Sequence, residues 1–257
     1  MDSKIRVAAV SYLNTKPLLY GIEHSPVREK ITLKTDYPAK IAQWLLQDEV
    51  DVGLVPVAVI PQLNPAFIIS DYCIGCDGKV ATVCLFSNVP IDEIRTVILD
   101  YQSQTSNELV KILLKNLWKV NPEFIFYDGE FRHLIKDNTA AVVIGDRAFE
   151  QKGQSKFEYD LGEAWKQLTG LPFVFAAWVS NKKLPASFIK AFNDANRRGV
   201  ESINKVIEEL QDYKGLDMKK YFTESIRYEL DAEKKKALEK FLWISKSFKS
   251  HSLFEGV

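Results

Sequence analysis

The stretch Val10-Ser11-Tyr12-Leu13-Asn14-Thr15-Lys16-Pro17 follows the apolar run Ile5 to Val10 and leads into a helical segment reaching Tyr20. The run before it reads as a buried strand, and the stretch itself ends that strand and opens a helix. A ligand at such a junction meets the strand's end and the helix's unused N–H groups together. Four further loops converge on it, so the sequence predicts two lobes around a gap.

Outward from this junction, strand and helix alternate as in parallel α/β units. Ile31 to Thr35 reads as a second strand. Tyr37-Pro38 opens a helix whose Ile41, Trp44 and Leu45 share a face, with proline tolerated in the first turn. Val50 to Val55 is the next strand and Pro56 halts it. Phe67 to Ile74 and Val80 to Ser87 are β-rich runs separated by the turn signal Cys76-Asp77-Gly78.

The alternation restarts after Asn88-Val89-Pro90 with the strand Thr96 to Asp100. Thr105 and Glu108 form a T-x-x-E capping box before the apolar repeat Leu109, Leu113 and Leu117. Phe124 to Tyr127 and Ala140 to Ile144 are further strands, and Asp146 is placed to cap the turn after Gly145. A short helix over Glu163 to Leu168 stops at Thr169-Gly170, and Phe173 to Val179 carries the chain back. The last third is helical: Phe188, Phe192, Ala195, Ile203, Val206 and Leu210 form one stripe, interrupted by Gly199. Ala237, Phe241, Ile244 and Phe248 form another, and Lys234, Lys235 and Lys236 read as a solvated face.

The expected architecture is therefore α/β, with a first lobe from residues 1–88 plus 176–257 and a second from 89–175. Ser87 to Pro90 and Leu171 to Val179 are the expected crossings. In 257 residues, 34 basic side chains balance 34 acidic ones. That balance gives no reason to expect nucleic acid or an anionic membrane as partner, and leaves a small molecule. No apolar run reaches membrane-spanning length. The opening Met1-Asp2-Ser3-Lys4 lacks the pattern of an export signal, so the expected location is cytoplasmic. Cys73, Cys76 and Cys84 read as buried thiols. His24, His133 and His251 are scattered without metal-ligand spacing, so no metal site is expected.

A chain that leaves one α/β lobe, builds a second and returns resembles the periplasmic-binding-protein-like fold of the type with two crossings (type II). Particular motifs extend the likeness. They are Ser-Tyr-Leu-Asn-Thr-x-Pro at 11 to 17, Asp100-x-x-Ser103-x-Thr105-Ser106, Ile144-Gly145-Asp146, and the long run from Tyr159-Asp160-Leu161-Gly162 to Ala176. Together they are similar to the MqnA/MqnD menaquinone-biosynthesis family. The pattern departs at Gln104, where the family often has arginine, and at Val57, where serine often follows Leu-x-Pro.

That resemblance implies a cofactor-independent hydro-lyase, turning chorismate into 3-[(1-carboxyvinyl)oxy]benzoate and water in the futalosine route. It implies Asn14 as the catalytic side chain at the reacting end of the substrate. Its amide can donate a hydrogen bond but cannot act as a strong base, so the substrate's own enolpyruvyl carboxylate is the expected proton acceptor. Ser11, Tyr12, Thr82, Ser103, Thr105, Ser106, Gly145 and Asp146 are the expected substrate-binding residues. Ser103 to Ser106 joins hydroxyls to a helix start, which suits a carboxylate and equally makes an ordinary cap. Gly145-Asp146 is expected to offer backbone N–H groups, with Asp146 a cap rather than a base. The alternatives are a non-catalytic solute-binding protein and the paralogous 1,4-dihydroxy-6-naphthoate synthase.

Overall fold

The computed structural model describes residues 4–210 and 216–245; Phe248 and His251 lie outside these. The chain opens with β1 (Ile5–Val10), α1 (Lys16–Glu23), α2 (Val27–Lys30), β2 (Ile31–Asp36), α3 (Pro38–Leu46) and β3 (Val52–Pro56). Next come β4 (Phe67–Cys76), β5 (Val83–Ser87), β6 (Thr96–Asp100), α4 (Gln104–Asn116), β7 (Glu123–Tyr127) and β8 (Thr139–Ile144). Then follow α5 (Asp146–Gln151), β9 (Phe157–Asp160), α6 (Leu161–Thr169) and β10 (Phe173–Ser180). The chain ends in α7 (Ala186–Glu201), α8 (Ile203–Glu209), α9 (Met218–Lys220), β11 (Arg227–Glu229) and α10 (Ala232–Ile244).

The strands form two sheets, ordered β11-β4-β10-β3-β1-β2 and β7-β6-β8-β5-β9. In each, a parallel set (β2-β1-β3; β7-β6-β8) meets an antiparallel strand, β10 or β5. This is the two-lobed α/β arrangement expected, but the lobe boundaries move. β5 pairs with β8 and β9, so Val83–Ser87 belongs to the second sheet. The first crossing is residues 77–82, not Ser87 to Pro90. The turn residues at 77–78 send the chain to the other lobe instead of folding a hairpin. The return crossing narrows to 170–172, because all of Phe173–Ser180 lies in the first sheet.

Covered faces explain why these runs are strands. Val7 to Val10 of β1 and all eight residues of β10 are buried, the continuous apolar pattern of strands packed on both sides. Gly199 does not interrupt α7. A Cβ there would lie 1.9 Å from the Pro17 carbonyl oxygen, and one at Gly21 would lie 2.0 Å from that of Ala195. The two glycines let α1 and α7 cross backbone to backbone, which anchors the helix leading from the Tyr12 to Thr15 turn. α10 closes the first lobe by setting Phe241 edge-on to Trp165 and Phe173. Lys234 is not on a solvated face; it is buried, with Nζ 2.5 Å from Asp231 Oδ2. Cys73, Cys76 and Cys84 are free and buried, and burial pushes the Cys73 thiol up to about 12. They are poor nucleophiles.

Candidate functional site

Where the lobes meet, a narrow cleft of about 480 Å³, counted to its mouth, is lined by residues of both sheets. Six of the nine predicted site residues line it: Tyr12, Asn14, Thr82, Ser103, Ser106 and Gly145. The rest of the lining is apolar, including Val10, Ile144 and Phe175, and no Asp, Glu, His, Lys or Arg contributes to it.

Asn14 sits in the 3-10 turn Leu13–Thr15 between β1 and α1. Its Oδ1 accepts from Thr15 Oγ1 at 3.1 Å, and its main-chain carbonyl accepts from the buried Tyr228 hydroxyl at 2.9 Å. The turn is held from behind, and Asn14 itself lines the cleft. On the opposite wall Ser103 caps α4. Its Oγ accepts from the Ser106 N–H at 3.2 Å and donates to Ser106 Oγ at 2.8 Å. The expected Thr105 cap is therefore two residues late. Thr105 lies inside the helix, and Glu108 pairs with Lys111.

Thr105 and Asp146 act between the lobes instead of lining the cleft. Thr105 Oγ1 accepts the Ala58 N–H at 3.2 Å, and Asp146 Oδ1 accepts the Leu13 N–H at 3.0 Å. The expected capping role of Asp146 is replaced by this bridge. Ser11 is exposed and donates its N–H to the Asp36 carbonyl, so it too leaves the lining. Gly145 contributes shape, not a donor. Its N–H is taken by the Thr82 carbonyl at 2.9 Å, and its positive φ of 63° brings the backbone against the Tyr12 ring.

Four further residues, Gln102, Arg147, Tyr221 and Tyr228, support the site and were not among the expected ones. The Gln102 side-chain oxygen accepts from both the Tyr12 phenol and Arg147 Nη2. Arg147 in turn holds the fully buried Asp100 carboxylate at 2.6 and 2.8 Å. Burial pushes the Asp100 pKa up and Arg147 opposes it; burial also raises that of Tyr12, which stays a neutral donor. Tyr228 backs Asn14, and Tyr221 lies 2.9 Å from Thr82 Oγ1. Gln102 sits inside the Asp100-x-x-Ser103 motif and was findable there; the tyrosines come from the segment read as scaffolding.

Residues 5–246 match the family described as menaquinone biosynthesis. The chain belongs to that family. Among curated relatives, it is 27% identical over 217 residues to a chorismate dehydratase of Thermus thermophilus, covering 77% of this chain and 78% of the relative. It is 25% identical over 241 residues to a chorismate dehydratase of Campylobacter jejuni, covering 91% and 94%. Among solved structures it resembles a protein of Archaeoglobus fulgidus with a TM-score of 0.75 at 16% identity, over 96% and 98% of the two chains. It also resembles the alkanesulfonate-binding protein of Xanthomonas axonopodis at 0.65 and 12%, over 98% and 96%. These neighbours place the menaquinone-biosynthesis chain in the periplasmic-binding-protein-like fold. Among the described residues no helix is long and apolar enough to cross a membrane, and no group of three His, Cys, Asp or Glu is arranged to hold a metal ion.

Proposed function

We propose that this chain is a chorismate dehydratase of the futalosine route, forming 3-[(1-carboxyvinyl)oxy]benzoate and water. One observation carries the reading: an interlobe cleft lined by an amide and hydroxyls, without a side chain that can serve as a general base. Chorismate needs little more. Loss of its ring hydroxyl and the neighbouring ring proton makes the ring aromatic, so the site must hold a dianion in the reactive shape and ease the departure of hydroxide. The enolpyruvyl carboxylate, tethered beside that ring proton, takes it. Asn14 donates through its amide nitrogen at the reacting end, with Thr82 beside it. Ser103, Ser106 and the first N–H groups of α4 receive a carboxylate without an arginine.

Incubating metal-stripped protein with chorismate and following products by chromatography and mass tests this. A species lighter by one water, formed faster than without protein, is the expected result. Chorismate bound but unchanged would point to a binding protein, and chorismate ignored would point to the naphthoate synthase of the same family.

A further inference from the structure

The Thr82 hydroxyl is approached from behind by a group outside the cleft. Thr82 Oγ1 and the Tyr221 hydroxyl lie 2.9 Å apart, and both residues are buried. Tyr221 opens a single π turn, Tyr221–Ser225, between α9 and β11. Single π turns are rare overall and are frequent at functional sites. Its ring meets Phe149 of α5 edge-on at 5.1 Å, so a first-lobe phenol is wedged against the second lobe. The Thr82 backbone is fixed as well. Asp160 accepts the N–H groups of Val80 and Ala81, the latter at 2.7 Å, and Ala81 is held at φ 68°, which non-glycine residues rarely adopt.

We infer that Tyr221 is a positioning residue: its phenol donates to Thr82 Oγ1 and thereby turns the Thr82 proton into the cleft, toward the departing hydroxyl. Each hydroxyl has one proton to give, and the phenol is the stronger acid and better donor. A threonine hydroxyl that accepts one bond donates a stronger one. The Val80 carbonyl, 3.5 Å from Thr82 Oγ1, competes poorly for that proton. In the reaction the ring C–O bond breaks with its electron pair on oxygen, and the ring proton passes to the enolpyruvyl carboxylate and on to the hydroxide, giving water. Tyr221 neither gains nor loses a proton.

This inference rests on the dehydratase reading, and four proteins separate the two: wild type, Tyr221→Phe, Thr82→Ala and the double variant, each with kcat, KM and a melting curve. Tyr221→Phe keeps the ring packing. It should lower kcat by about 5- to 10-fold, one hydrogen bond's worth, with KM nearly unchanged. In the Thr82→Ala background the same change should be nearly silent. An unchanged kcat in Tyr221→Phe, or an equal loss in both backgrounds, overturns the inference alone. A wild type that leaves chorismate unchanged overturns the dehydratase reading and this inference with it.

Discussion

Asp146 Oδ1 accepts the main-chain N–H of Leu13 at 3.0 Å, joining the second lobe to the turn that carries Asn14. Hydrogen bonds to a charged acceptor contribute about 1.5–3 kcal/mol, and this one spans the two lobes, so it should favour their closed arrangement. Asp146→Ala should raise KM by about 10-fold or more and enlarge the radius of gyration in solution scattering, with little change in melting. Asp146→Asn keeps an acceptor oxygen and should restore most of the loss. Unchanged scattering and kinetics in Asp146→Ala would show that the bridge does not hold closure.

Gly145 touches Tyr12 so closely that a Cβ would lie 2.8 Å from the ring carbon Cδ2, and its φ of 63° with ψ of −146° is a conformation that side chains resist. Gly145→Ala should cost about 2 kcal/mol or more. At about 2–4 °C per kcal/mol for a chain of this size, the melting temperature should fall by about 4–8 °C. Turnover should fall with it, because the displaced Tyr12 ring breaks its bond to Gln102.

The first lobe was legible because parallel strands buried on both faces are continuous apolar runs and their helices keep a regular stripe. The assignment of Val83–Ser87 failed because a strand's own residues do not say which sheet it joins; Asp77-Gly78 looks the same in a hairpin and in a crossing. Thr105 was read as the cap because its box with Glu108 is the stronger pattern, while Ser103 had the right chemistry and the register. Asn14, Ser103 and Ser106, which line the cleft, lie in the quoted motifs, and Thr82, which also lines it, was expected from the resemblance outside them. Tyr221 and Tyr228 were not, because each reaches its partner across 139 or 214 residues, and a single tyrosine has no periodicity to betray it.

Asp51 ties β1 to β3 at the end of the sheet away from the cleft. Its carboxylate takes the Arg6 N–H at 2.8 Å, the Arg6 guanidinium at 2.6 Å and Lys182 Nζ at 2.8 Å. Burial alone would raise its pKa, but Arg6 and Lys182 more than offset this and bring it down to about 2. The folded pKa thus lies below the unfolded value of about 3.9. The resulting stability is fully present above about pH 4 and is lost as pH falls through 2. It amounts to about 2 kcal/mol. Urea melts from pH 6 to 2 should show this acid limb, and Asp51→Asn should be less stable at pH 6 and flatter below pH 4. Parallel curves for the two proteins would mean that the loss at low pH arises elsewhere.

Asn14 is the sharpest test of the chemistry, because its two ends have different duties. Oδ1 is occupied by the Thr15 hydroxyl, so the amide nitrogen is the group that can follow charge developing on the substrate. Asn14→Ala should leave melting nearly unchanged, since the Tyr228 bond goes to the Asn14 main chain, and should reduce kcat by about 10²- to 10³-fold, as removal of an oriented donor at developing charge does. Asn14→Asp puts an acceptor where the donor stood and adds a negative charge beside a dianion. It should be at least as damaging as alanine and raise KM further. If Asn14→Asp were the more active of the two, a side-chain base would be doing the work assigned to the substrate's own carboxylate. Full turnover in Asn14→Ala would remove Asn14 from the mechanism and leave Thr82 as the donor to examine.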